Sequence, residues 1–248
     1  FLLLDHISSD NPNDYIAGFP SHPHRGFSTF TYMIDGLMKH QDSMGNSGIL
    51  GPGSAQWMKA ASGIIHSEMP EQQNGLLRGF QLWINLPALH KMDQPEYQEF
   101  PENAFPIVET SDYRLKVLIG QYAKAQAPIE DNLTEVVHFD IQVKPGKQFH
   151  HVFPVGNNSF VYVFEGTGHT NTEHTPTHSL MILDSEENTL NFVAGPKGAR
   201  MIVGSGKPID EPIARHGPFV MNTQEQIDQA MRDFQANDFV RNRAWVNR

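Results

Sequence analysis

The sequence predicts an all-β protein, a sandwich or barrel of short antiparallel strands, with one helix at the C-terminal end. Three observations predict it. Glycine (20 residues) and proline (17) recur as punctuation between β-rich runs, the spacing of many short turn-bounded strands. Within those runs apolar residues recur with period two rather than 3.6. Only one segment, close to the C-terminus, carries helical spacing. A length of 248 residues allows one large domain or two of about 120, and either can bury a core without staples.

Residues 27–34 (FSTFTYMI) are aromatic and β-branched and end at Asp35-Gly36, a hairpin signal. Residues 76–86 set Phe80, Leu82, Ile84 and Leu86 on one face, and Val137, Phe139, Ile141 and Val143 alternate likewise before Pro145-Gly146. Residues 159–164 (SFVYVF) end at Glu165-Gly166, and residues 201–203 end in Gly-Ser-Gly. In the tail, Thr223 and Gln226 form a capping-box pattern. Ile227, Ala230, Met231 and Phe234 follow at helical spacing, predicting a packing helix laid on the β-domain. The halves echo each other. Asp35-Gly36 and Glu165-Gly166 each close an aromatic-rich strand, and Gly18 precedes His22 by four residues as Gly146 precedes His150. A duplicated barrel produces this pattern, with a junction expected between Pro101 and Arg114. The expected domains are 1–110 and 111–248, the second carrying the terminal helix.

Lys and Arg number 18 against 28 Asp and Glu, a formal charge of −10. The chain therefore lacks an overall electrostatic footprint for phosphate backbones, and no direct nucleic-acid partner is expected. There is no cysteine, which removes disulfides, thiolate metal sites, iron–sulfur clusters and cysteine nucleophiles together. Any metal must sit on histidine and carboxylate. The longest apolar runs fall far short of the roughly 20 residues of a membrane span, so no membrane partner is expected. No signal-peptide pattern is visible, and cytoplasm is the default location. Phe1 lies inside an apolar run without an initiator Met, so a natural N-terminus upstream is expected. With no heptad or long apolar edge, a monomer is the default.

Two of the places that hold the 13 histidines suit chemistry. In an extended strand alternate side chains share a face. His22 and His24 in SHPHRG therefore project together, as do His66 and Glu68 in GIIHSE, with Ile64 on that face and Ile65 opposite. Two adjacent strands of a small barrel, each offering such a pair inward, converge three imidazoles and one carboxylate on a point. That set suits a borderline divalent metal such as Fe(II). Both pairs, the Asp-Gly signal and a Gly-rich turn fall within 47 residues.

Other candidates have structural readings. Arg25 is expected to hold a nearby turn or carboxylate, and Gln56, Trp57, Met58, Phe30, Tyr32 and Phe80 to pack the barrel. Asp42 and Asn46 read as a polar turn. In the second half His150 and His151 are adjacent and point to opposite faces, so they cannot mimic His22 and His24. His169, His174 and His178 lie in a polar segment, residues 166–178, that reads as loop.

The runs HPHRGFSTFTYMIDG, HQDSMGNSG and QWMKAASGIIHSE, with the C-terminal run GKPIDEPIARHGPFVMNTQEQIDQA, resemble the pirin family of the cupin superfamily over nearly the whole chain. The resemblance implies a bicupin, two face-to-face antiparallel β-barrels of the double-stranded β-helix (jelly-roll) type. It implies metal in the N-terminal barrel only, on His22, His24, His66 and Glu68, and a degenerate second barrel. The implied metal is Fe(II), with Zn, Mn, Ni or Cu as alternatives. Some members act as quercetin 2,3-dioxygenases, and eukaryotic members are transcriptional co-regulators. The chain departs from the family pattern at Ser28, where Glu is usual, and at Ala61, where Gly is common. Ser28 is expected to alter the charge beside the site.

A divalent metal on three neutral imidazoles and one carboxylate carries about +1 and attracts an anionic oxygen such as an enolate. Four protein ligands leave one or two positions for substrate or O₂. The expected activity is a metal-dependent dioxygenase that cleaves a flavonol with O₂ and releases CO, with Glu68 as both ligand and proton acceptor. The same chemistry on another enediol or phenol is one alternative. The other, from a different class, is a non-enzymatic binding module whose metal redox state is read by a protein partner.

Overall fold

The period-two runs all become strands, because alternation lets each bury one face while its backbone bonds sideways into a sheet. In the computed structural model, which describes residues 1–72, 74–170 and 173–241, the chain divides into two units. The first is Phe1–Asn103 together with the segment from Ile209 onward; the second is Ala104–Pro208. The terminal helix, expected with the second barrel, thus folds with the first. Among the described residues no helix is long and apolar enough to cross a membrane.

The first unit contains β1 (Leu3–Ser9), a one-turn helix α1 (Pro12–Tyr15), β2 (Phe19–His24), β3 (Phe27–Asp35), β4 (Met38–Asp42), β5 (Ser47–Leu50), β6 (Ala55–Lys59), β7 (Ile64–Pro70), β8 (Leu77–Asn85) and β9 (Glu96–Phe100). They form a five-stranded sheet, β1-β8-β3-β6-β9, and a four-stranded sheet, β2-β7-β4-β5. Asp35-Gly36 is therefore not a hairpin. β3 pairs with β6 and β8, whereas β4 pairs with β5 and β7. Gly36, at φ 84°, turns the chain. The Arg78–Asp35 ion pair and the Leu37 N–H bond to Gln72 Oε1 then carry it across into the other sheet. Apolar clusters in this barrel include Tyr15, Met33, Met38, Leu50 and Leu77, and Met58, Ala60 and Ile64.

The second unit holds β10 (Ile107–Glu109), β11 (Tyr113–Ile119), β12 (Gln121–Tyr122), β13 (Ala125–Gln126), β14 (Val137–Val143), β15 (Gln148–Val152), β16 (Asn158–Thr170), β17 (Glu173–Thr175), β18 (Ser179–Ile182) and β19 (Thr189–Gly206). Two long strands organise it. β19 pairs with β14 along one half and β15 along the other, while β16 pairs with β19, β18 and β17. Glu165-Gly166 does not end β16. It sits at a bulge where register shifts, with Gly166 at φ 68°, and one extra residue bends the strand without stopping it. Gly-Ser-Gly likewise continues β19, because Gly204 leaves room for the Phe160 ring. The histidine-rich segment read as loop is largely a hairpin, His169 facing His174 across β16 and β17; residues 171 and 172 of it lie outside the described residues. The main apolar cluster here is built on Phe139, Phe149, Phe153 and Phe192 with branched aliphatics, and His138, Lys116 and Asp140 are buried in the same unit.

After the second unit the chain returns through β20 (Ala214–His216) and β21 (Phe219–Met221) to α2 (Gln224–Gln235). The capping box is present: the Thr223 side chain accepts from the Gln226 N–H and the Gln226 side chain reaches back. Ile227 and Ala230 are buried with Phe219, Met221, Phe239 and Val240, but Phe234, expected to pack, is 41% exposed. Asp233 is buried instead, and its carboxylate meets the Arg25 guanidinium at 2.7 Å. Arg25 also donates to Ser62 O and Phe239 O and lies over the Phe239 ring. The buried Lys91 ammonium donates to Gly26 O, Asn85 Oδ1 and Val220 O; burial pulls its pKa down to about 8. These two cations fasten the C-terminal segment to the turn that follows His24.

Candidate metal centre

The centre lies between the two sheets of the first unit. β2 and β7 are antiparallel neighbours, with His22 opposite His66 and His24 opposite Ile64; a register shift sets Phe19 opposite Glu68. Ring centroids of His22 and His24 lie 4.4 and 4.9 Å from that of His66. One donor nitrogen of each of these three histidines falls within 4.8 Å of the other two, and His40, His66 and Glu68 make a second such group that shares His66. His22, His24, His66 and Glu68 thus lie on adjacent strands as their spacing predicts, and the carboxylate groups with His40, a histidine outside that set.

His22 and Glu68 are held from behind. His22 Nδ1 contacts Pro20 O at 2.7 Å. A carbonyl only accepts, so the proton is on Nδ1 and Nε2 carries a bare lone pair. That Nε2 lies 3.1 Å from His24 Nε2. His24 and His66 are buried, His22 partly exposed. Burial, then the neighbouring His22, drives the His24 pKa down to about 3; burial, then His24, His22 and His40, holds His66 well below its usual value. Neutral imidazoles are the metal-binding form. Glu68 accepts from Gln81 Nε2 on both oxygens, at 3.0 and 2.8 Å, and from Thr31 Oγ1 at 3.2 Å. Trp83 Nε1 donates to Gln81 Oε1 at 3.0 Å and so fixes which end of that amide faces Glu68.

The donor set fits a divalent ion. His66 Nε2 is buried without a hydrogen-bond partner, a costly state for a ring nitrogen unless a cation satisfies it. The His22 and His24 Nε2 atoms face each other at 3.1 Å, where one can donate to the other or both can turn to a cation. His, His, His and carboxylate suit Fe, Ni, Zn, Mn or Cu.

Several contributors escaped the sequence reading. His40 and Asp42 are fully buried, with His40 Nε2 3.2 Å from Asp42 Oδ2. Asp42, read as a turn former, also caps the turn by accepting from the Met44 and Asn46 N–H groups. Gln56 lies 3.2 Å from His40 Nδ1. The signal was present: His40-Gln41-Asp42 is a third i, i+2 pair, on β4. Ser28 does not border the site. Phe27 and Thr31 reach His24 and Glu68, and strand alternation turns Ser28 to the opposite face. Arg25 holds both a turn carbonyl and a carboxylate. His151 points into the aromatic interior of the second unit near Phe153 and Tyr122, while His150 bonds Asn191 outside.

A two-unit cupin with a histidine–carboxylate pocket in its first unit is the class that fold and site define. The family profiles agree: Pirin matches residues 1–84 and Pirin C-terminal cupin domain residues 138–240. A Pseudomonas aeruginosa protein named "Putative quercetin 2,3-dioxygenase" is 46% identical over 242 residues, 94% of this chain and 84% of the relative. A pirin-like protein of Caulobacter vibrioides is 43% identical over 96% of this chain and 87% of the relative. A crystal structure of quercetin 2,3-dioxygenase from Acinetobacter baumannii superposes with a TM-score of 0.89 at 32% identity, covering 96% of this chain and 85% of that one. The chain belongs to the pirin family.

Proposed function

We propose that the protein is a metal-dependent dioxygenase of the quercetinase type, with His22, His24, His66 and Glu68 as the metal ligands. The observation that carries the reading is the convergence of three imidazoles, with the His24 and His66 pKa values pushed down by burial, beside a buried carboxylate, on a chain similar to relatives and a solved structure that bear the quercetin 2,3-dioxygenase name. A bacterial pirin from Escherichia coli that shares the fold was solved with nickel(II), at 20% identity and a TM-score of 0.62. A divalent metal supplies Lewis acidity toward an enolate oxygen and electron transfer toward O₂; Fe(II) is the proposed ion.

The residues then divide the work. His22, through Pro20, and His24 present Nε2 atoms to one point and fix the position of the ion. Glu68 accepts the proton of the substrate's enolic hydroxyl, and its charge offsets that of the metal. Gln81 and Thr31 hold Glu68 in place during that transfer. In the overall change one O₂ is consumed, both its atoms enter the cleaved product, and one ring carbon leaves with its oxygen as CO. The flavonol 3-hydroxyl has the acidity and neighbouring carbonyl that this demands.

The test is CO release from quercetin in air by protein reconstituted anaerobically with Fe(II), with a His24→Ala variant prepared identically. Metal-dependent release that vanishes in the variant supports the proposal. No release from protein shown to hold stoichiometric iron removes quercetin as substrate. For Glu68 the probe is Glu68→Gln: retained metal with slowed turnover is expected, and unchanged turnover would end its assignment as base.

A further inference from the structure

Beside the proposed ligands stands a buried chain of groups outside the proposed ligand set: Asp42, His40 and the back of His66. The register explains the alignment. β4 and β7 are antiparallel neighbours with His40 opposite Glu68 and Asp42 opposite His66. Three i, i+2 pairs on three adjacent strands, His22/His24, His66/Glu68 and His40/Asp42, therefore face one interior. The third pair is fully buried, and His40 is stacked on Tyr97 with ring centroids 4.7 Å apart.

The hydrogen-bond directions run one way. Asp42 is anchored by the Met44 and Asn46 N–H groups on Oδ1 and by Asn46 Nδ2 on Oδ2. Its Oδ2 lies 3.2 Å from His40 Nε2, and an ionised carboxylate only accepts, so His40 carries its proton on Nε2. In the neutral ring His40 Nδ1 is then the acceptor. Two groups face it: Gln56 Nε2 at 3.2 Å and His66 Nδ1 at 3.4 Å. For His66 to bond there, its proton must be on Nδ1. Its Nε2 is then the lone-pair end, and this is the buried atom with no partner in the structure.

We propose that His40 and Asp42 are positioning residues that lock His66 in the Nδ1–H tautomer, aiming its bare Nε2 at the metal. The inference rests on the metal centre proposed above, yet its first readout needs no metal. A ligand imidazole whose far N–H is held by an acceptor keeps its tautomer and ring angle, and loss of such an acceptor typically lowers metal affinity 10–100-fold.

The experiment begins with metal-free wild-type protein labelled with ¹⁵N-histidine. Two-bond ¹H–¹⁵N correlation spectra distinguish the two tautomers, with His66 identified by its loss in His66→Gln. The expected result is Nδ1–H for His66 and Nε2–H for His40; Nε2–H at His66 in the wild-type protein overturns the proposal. Next, His40→Phe keeps the ring stacked on Tyr97 and removes the acceptor, and His40→Asn returns an acceptor near the Nδ1 position. With Ni(II) as probe in calorimetry, His40→Phe should weaken binding about 10–100-fold and free the His66 tautomer. His40→Asn should recover most of both. Unchanged affinity and tautomer in His40→Phe overturn the positioning role. So does complete loss of binding in His40→Phe together with an altered visible spectrum of the Co(II) bound by His40→Asn, which would make His40 a direct ligand. Wild-type protein that shows the expected tautomers but takes up no Ni(II) would sink the metal centre and leave the hydrogen-bond lock standing.

Discussion

Between its two sheets the first unit buries His24, His40, His66, Glu68, Gln56 and Thr31, whereas the second buries Phe139, Phe149, Phe153 and Phe192 among Val, Leu and Ile. Both units are antiparallel β structure, so strand geometry alone does not separate them. The difference is how the histidines fall on the pleat. In the first, paired polar residues two apart arrive from three neighbouring strands and meet. In the second, His150 and His151 are consecutive, and only His151 turns inward, against Phe153 at a centroid distance of 4.5 Å. One imidazole among aromatics assembles nothing. An apolar interior stabilises by about 1.5–3 kcal/mol per large side chain. A polar one leaves atoms such as His66 Nε2 that cost about 1–3 kcal/mol until paired. The proposed chemistry thus falls in the first unit, and the larger aromatic cluster in the second.

The sharpest way to break that division is His24→Ala. Ni(II) or Fe(II) affinity measured by calorimetry should fall by about three orders of magnitude or more, roughly 4 kcal/mol, and retained stoichiometric binding would remove His24 from the ligand set. Phe149→Ala probes the other side. Loss of a fully buried ring should cost about 3–5 kcal/mol in denaturant unfolding while metal affinity per folded molecule stays at the wild-type value. A parallel loss of affinity would join what the comparison separates. Asp233→Ala strands the buried Arg25 charge and should destabilise by about 3 kcal/mol. Arg25→Met combined with Asp233→Leu should restore much of that loss, because no unpaired charge remains.

Acid sharpens the contrast further. Burial holds His24 at about 3 in the first unit and His138 at about 4 in the second, against about 6.5 in an unfolded chain. Between those values the unfolded state binds more protons. Stability is therefore complete above about pH 6.5 and falls as pH drops toward 4, by roughly 1.4 kcal/mol per pH unit for each such histidine. Bound metal should hold the first unit folded to lower pH and leave the second unchanged. Tryptophan emission reports the first, whose β6 and β8 carry Trp57 and Trp83 while residues 104–208 hold no tryptophan, and amide hydrogen exchange reports the second. Equal protection of both units would contradict the assignment.

Much of the architecture was legible in the chain itself, for local reasons. Period-two alternation sets strands, and residues 76–86 behave as it requires: Phe80, Leu82, Ile84 and Leu86 are all buried. The capping box at Thr223 forms as written, because an N-cap needs only residues three apart. The pairs His22/His24 and His66/Glu68 share faces for the same reason. What the chain did not show was which strand lies beside which. Asp35-Gly36 reads as a hairpin but carries the chain between sheets, and Glu165-Gly166 reads as a turn but bulges within one strand. Partners across the interior escaped as well: Gln81 behind Glu68, His40 behind His66, Asp233 on Arg25 208 residues away. Composition excluded thiolate chemistry outright, and spacing proposed a histidine–carboxylate site. Only the tertiary structure could supply the groups that orient it. A side chain's face depends on its own strand, whereas its hydrogen-bond partner depends on every other strand that packs against it.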